Sequence, residues 1–136
     1  MGGASTVAGR RVLITGAARG IGAALARRLH ERGARVAVAG LEPELLKTVA
    51  ADVDGPWVEC DLSAREQVEA AVAQAVRELG GLDVVVANAG IAKQLPIDGG
   101  DPTVMERTLQ VNALGVYYTL RAAAPHLSLI HISEPT

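Results

Sequence analysis

A short apolar run that ends at a threonine and opens into spaced glycines limits this chain's folds more than any other stretch. Residues 11–22 read RVLITGAARGIG. Val12, Leu13 and Ile14 are unbroken β-type side chains, as expected of a parallel strand buried on both faces. Gly16 permits a tight turn. Gly20 and Gly22 lack side chains, so a ligand phosphate or a neighbouring strand can approach the backbone. A helix that begins there aims its free N–H groups and positive dipole end at the loop, which suits a pyrophosphate. Glycine spacing alone is weak evidence; its position between a strand and a helix is the context it needs.

The rest of the chain repeats that alternation. Residues 20–32 read as a helix with Ile21, Leu25 and Leu29 on one buried stripe, closed by Gly33. Val36 to Ala39 form a second strand. Residues 42–52 form a helix with Leu45, Leu46 and Val49 inward. Trp57 and Val58 belong to a third strand, followed by Asp61-Leu62. Ser63 and Glu66 match a capping box that opens a helix to about residue 79, with Val68, Val72 and Val76 inward. Residues 82–87 are a fourth strand that ends at Asn88-Ala89-Gly90. Asp101-Pro102 supplies an N-cap and a first-turn proline for a long helix over 103–125. Alternating strands and helices define βαβ units. The expected fold is α/β, a Rossmann-like doubly wound parallel sheet, truncated after the fourth strand and its following helix. Loops at the carboxyl ends of its strands should converge on one crevice.

Composition narrows the function classes. Apolar residues make up 49%, charged residues 21%, and the net charge is -2, which offers no electrostatic footprint for nucleic acid. No apolar run approaches the ~18 residues of a membrane span. Cys60 is the single cysteine, so a reducing, cytoplasmic setting is expected.

Four features lie at strand ends or on the helix that follows: Thr15 to Gly22, Asp61-Leu62, Asn88-Ala89-Gly90, and Asn112. As a set this resembles the short-chain dehydrogenase/reductase family, in its branch with a TGxxxGxG pattern. That pattern reads TGAARGIG here, and the second signature, usually NNAG, reads ANAG at residues 87–90. The resemblance implies that Gly16, Arg19, Gly20, Ile21 and Gly22 wrap the pyrophosphate and adenosine ribose of NAD or NADP. It implies that Asp61 accepts the adenine amino group, with Leu62 against the ring. Asn88, Ala89 and Gly90 would face the nicotinamide-side ribose, with Val111 beside them. Asn112 matches the family's catalytic asparagine, which distorts its helix and holds a water of the proton relay. Asparagine is poor in a helix interior because its amide competes for backbone groups, so its place between Val111 and Ala113 asks for a reason.

The cofactor choice stays open. Where NAD-preferring members carry an acid at the end of the second strand, this chain has Gly40; Leu41 follows where NADP-preferring members often have a base. Glu42 is acidic but falls late.

The resemblance also implies an alcohol or carbonyl substrate, a serine, and a Tyr-x-x-x-Lys pair well beyond the asparagine. Tyr117 and Tyr118 have Arg121 and Ala122 four residues on, so neither supplies that pair. The expected reading is therefore the cofactor-binding part of an oxidoreductase, inactive as these residues stand. Its parent would be a homodimer or homotetramer through the 103–125 helix. The alternative is a non-catalytic dinucleotide sensor or scaffold on the same fold.

Residues 1–9 read as a flexible leader and 10–126 as the partial domain. Residues 127–136 read LSLIHISEPT, without the Ala, Gly, Val and Arg that dominate elsewhere, yet with two of the four serines. One back-translation of this stretch resembles a transposon adapter used in sequencing libraries. The expectation is a non-native tail from adapter read-through.

Overall fold

The computed structural model describes residues 6–91 and 95–127. The tail expectation for 128–136 and the leader expectation for 1–5 lie outside them. Residues 6–9 form a turn in which Gly9 N–H donates to the Gly33 carbonyl at 2.8 Å and Val7 packs against the core.

Four strands, β1 (Arg11–Thr15), β2 (Arg35–Gly40), β3 (Trp57–Glu59) and β4 (Val84–Val86), pair in parallel in the order β3-β2-β1-β4. Between and after them lie α1 (Gly20–Glu31), α2 (Pro43–Val53), α3 (Arg65–Leu79), α4 (Pro102–Leu109) and α5 (Gly115–Ala123). The doubly wound reading holds, and strand alternation explains it. Val12, Ile14, Val36 and Val38 face α1 and α2. Leu13, Ala37 and Ala39 point the other way, into a core with Val68, Val72 and Leu79 of α3 and Ala123 of α5.

Some local expectations were wrong. Ile21 is 79% exposed; Gly22, Ala23 and Ala26 form the buried face of α1, and Leu25 and Leu29 pack partly buried against the same core. Leu45 flanks the buried row of Leu46, Val49, Ala50 and Val53 and stays partly exposed. Ser63 does not cap α3. The cap position is Ala64, without a side-chain bond, while the Ser63 hydroxyl donates to Asp61 Oδ1 at 2.7 Å. The hydroxyl is held between Asp61, to which it donates, and Arg107, which donates to it, and so is turned away from the helix end. The Glu66 carboxylate is held by its own N–H and by Arg65.

The long helix over 103–125 is not uniform. Asp101 caps it, accepting from Thr103 N–H at 3.0 Å, and Pro102 occupies the first turn as expected. At Gln110–Leu114 the winding widens into a π segment centred on Asn112, and a short 3₁₀ turn, Ala124–His126, ends it. Gly115 then lets α5 close on the Leu62 backbone: a Cβ there would sit 3.0 Å from the Leu62 carbonyl oxygen.

One ion pair fastens β1 to the entry of β4. Arg11 donates to both oxygens of Asp83, at 2.9 and 3.0 Å, while its own backbone N–H adds a third bond at 2.9 Å. These donors hold the Asp83 carboxyl down at about 2. That is below the value of about 3.9 for an unfolded aspartate, so the stabilisation is complete above pH ~4 and is lost as the pH falls toward 2. Asp83→Asn is expected to cost about 1–2 kcal/mol at pH 7. Urea unfolding followed by circular dichroism checks this; the gap between wild type and variant should narrow below pH ~4 and close as the pH reaches about 2.

Candidate functional site

The carboxyl ends of all four strands open into one cavity of about 210 Å³. Its walls come from the β1–α1 loop (Gly16, Ala18, Arg19), the end of β2 (Gly40, Leu41, Glu42) and the stretch after β3 (Cys60, Asp61, Leu62). The turn after β4 (Ala89, Gly90, Ile91) completes them, with Arg107 and Val111 from the helix above. Of the residues singled out in sequence, Gly16, Arg19, Asp61, Leu62, Ala89, Gly90 and Val111 line this space. Gly20, Ile21, Gly22, Asn88 and Asn112 stand behind or beside it.

The glycines do different jobs. Gly16 has φ +65°, and a Cβ there would lie 2.6 Å from the Ala89 Cα. A Cβ at Gly22 would overlap the Gly16 carbonyl oxygen and come 2.7 Å from Asn88 Nδ2. These two glycines let the loops of β1 and β4 touch. Gly20, at φ +60°, would meet nothing within 4 Å, so it keeps the approach to the helix end clear. The α1 N-terminus carries no side-chain cap, which leaves its first N–H groups available.

Thr15, 3% exposed, holds the same junction from below. Its Oγ1 accepts from Asn88 N–H at 3.1 Å and Ala89 N–H at 3.2 Å. Asn88 returns the contact, its Nδ2 donating to the Gly16 carbonyl at 3.2 Å. Asn112 fixes the next residue: Oδ1 accepts from Ile91 N–H and Nδ2 donates to Ile91 C=O, both at 2.7 Å. The helix-breaking amide therefore has a job in the structure, as a two-pronged hold on the loop after β4. Gly90 keeps that approach open, since a Cβ would be 3.3 Å from Asn112 Oδ1.

Charges face one another across the rim. Arg19 and Glu42 form a two-bond ion pair, with Nε to Oε1 at 2.9 Å. Asp61 Oδ1 accepts from the Ser63 hydroxyl and N–H, and lies 3.3 Å from Arg107 Nη2. The Ser63 hydroxyl, more than Arg107, keeps the Asp61 carboxyl below its ordinary range. Burial pushes the Cys60 thiol up to about 11, which makes it an inert wall residue.

Sequence reading missed Thr15 as a holding group, and Arg107 and Ile91 as wall residues. An isolated arginine on an amphipathic helix carries no pattern that separates it from a solvated one; only the chain path brings residue 107 to 61. Among the described residues no cluster of His, Cys, Asp or Glu could hold a metal ion, and no helix is long and apolar enough to cross a membrane.

A parallel sheet of this order with a glycine-lined cavity at its strand tips defines a dinucleotide-binding α/β protein. A family model described as "short chain dehydrogenase" matches residues 10–133, and the chain belongs to that family. It is 38% identical over 118 residues to the mitochondrial borneol dehydrogenase of Lavandula x intermedia, covering 85% of this chain and 46% of that one. To the L-fucose dehydrogenase of Oryctolagus cuniculus it is 34% identical over 129 residues, 93% of this chain and 45% of the other. Among solved structures, a short chain dehydrogenase from Burkholderia cenocepacia in complex with NADP superposes with a TM-score of 0.87 at 35% identity. That match covers 91% of this chain and 53% of the other. The carveol dehydrogenase of Mycobacterium avium in complex with NAD gives 0.81 at 32%, covering 89% and 50%. The chain thus spans about half the length of the relatives it matches. Family neighbours hold either NADP or NAD, so membership leaves the choice open.

Proposed function

We propose that these residues form the cofactor-binding half of an NAD(P)-dependent oxidoreductase, which moves a hydride between nicotinamide and an alcohol or carbonyl carbon. The convergence of four strand tips on one cavity, with an uncapped helix end on one side and Asp61 on the other, carries the reading. The donor set suits a dinucleotide. Bare N–H groups at Gly20, Ile21 and Gly22 take the pyrophosphate, and Arg19 and Gly16 line the path of the adenosine ribose. Asp61 accepts an amino proton of adenine, and Leu62 packs on the ring. The Asn88-Ala89-Gly90 turn and Val111 face the second ribose. When bound, the nicotinamide supplies the hydride acceptor or donor. Asn112 sets the loop after β4, and with it the floor beneath that ring; in the parent it also holds a water of the proton path.

Proton transfer itself needs a serine and a Tyr-x-x-x-Lys pair, and none of the residues here provides the pair. Exposed Leu109, Leu114, Tyr117 and Leu120 along the last helices fit a homodimer or homotetramer contact of the parent. A cytoplasmic setting suits its single buried thiol. Calorimetric titration of the 136-residue chain is expected to show saturable uptake of NADH or NADPH, with no oxidation of either by a carbonyl panel. Absence of uptake for both overturns the dinucleotide reading. Turnover overturns the assignment of the proton-transfer groups.

A further inference from the structure

Asp61 Oδ1 is crowded. It accepts from the Ser63 N–H at 2.9 Å and the Ser63 hydroxyl at 2.7 Å, and it is paired with Arg107 at 3.3 Å. Among the described residues these bonds all fall on Oδ1, so Oδ2 is the oxygen left to face a ligand. Arg107 reaches this spot from α4, and its other nitrogen donates to the Ser63 hydroxyl. One turn on, Gln110 Nε2 donates to the Ser63 carbonyl at 3.0 Å. Two side chains of the long helix thus grip the loop after β3 from above. Arg107 also forms the partition between the main cavity and a second one lined by Ile91, Thr103, Val104 and Thr108.

A carboxylate that must accept a single purine N–H gains selectivity from a fixed orientation and from a counter-charge that keeps it ionised once a ring covers it. Ser63 gives Asp61 its orientation, and Arg107, bonded to both the Ser63 hydroxyl and Asp61 Oδ1, locks that pair and adds the counter-charge. We propose that Arg107 is a positioning residue that holds Asp61 toward the ligand, so that the site selects a 6-amino purine. This rests on the dinucleotide reading above. Arg107 touches no reacting atom; it acts through Asp61.

The test is a pair of calorimetric titrations of the 136-residue chain, with NADH and with reduced nicotinamide hypoxanthine dinucleotide, which carries a carbonyl where adenine has its amino group. Wild type is expected to bind NADH about tenfold or more tighter, the range of a hydrogen bond to a charged group. Arg107→Met should weaken NADH about tenfold and leave the hypoxanthine dinucleotide unchanged, collapsing the ratio. Arg107→Lys, which keeps the charge, should restore part of it. Circular dichroism confirms that both variants fold. Should Arg107→Met not fold, Arg107→Gln provides the second arm: it keeps a polar side chain without the charge and should also collapse the ratio, and an intact ratio there overturns the role of Arg107. Equal weakening of both dinucleotides in Arg107→Met, or an intact ratio, overturns the role of Arg107 and leaves the dinucleotide reading standing. Failure of wild type to bind either one overturns both.

Discussion

Gly22→Val is expected to lower the melting temperature of the chain by about 10 °C or more, a loss above about 3 kcal/mol. The reason is local and severe. A Cβ at residue 22 would overlap the Gly16 carbonyl oxygen and lie 2.9 Å from the Gly16 carbonyl carbon. Gly16 cannot retreat, because it is itself pressed against the Ala89 backbone in a left-handed conformation. The clash would pass from α1 through β1's loop into the turn after β4. Gly20→Ala provides the contrast. Its φ is +60°, as Gly16's is +65°, yet the space around it is open, so only backbone strain of about 1 kcal/mol is expected. Thermal unfolding followed by circular dichroism separates the two. A Gly22→Val chain that melts within about 2 °C of wild type would show that the loops do not pack as described.

Thr15→Val should have the second-largest effect. Valine keeps the shape and removes the hydroxyl. Ala89 N–H then loses its acceptor, while Asn88 N–H keeps only the Val86 carbonyl at 3.0 Å. One part-buried donor left unpaired and a second weakened cost about 1–3 kcal/mol. Thr15→Ser retains the oxygen and should cost less than about 1 kcal/mol. Urea midpoints for the two variants check the order. Dinucleotide uptake should weaken with Thr15→Val, since the turn that faces the second ribose hangs from that hydroxyl. Equal midpoints for the two would mean that the hydroxyl holds nothing.

These two positions show where sequence reading succeeds and where it stops. The glycines of TGAARGIG were legible as a place where backbone must be bare. Which glycine serves packing and which serves the ligand was not, because that depends on what lies opposite: Ala89 and Asn88, some seventy residues on. Thr15 read only as the end of a strand. The capping box failed for the same reason. Ser63-x-x-Glu66 is a local pattern, but Arg107, 44 residues on, donates to the Ser63 oxygen and holds it against Asp61, away from the helix start. Asn112 was flagged as an oddity inside a helix, and the π segment around it is the distortion expected there. Its hold on Ile91 needed the fold to be seen.

By itself the sequence determined the order of elements, the parallel sheet and the crevice at its strand tips. Apolar strand runs and period-3.6 helix burial are set by near neighbours along the chain, and right-handed βαβ crossovers then make a doubly wound parallel sheet; the strand order came only with the structure. The tertiary structure alone decided the polar detail: Arg19 on Glu42, Arg107 on Asp61, Thr15 beneath Asn88. Each of these joins groups more than twenty residues apart, and a hydrogen bond depends on tenths of an ångström that no pattern of residue types encodes.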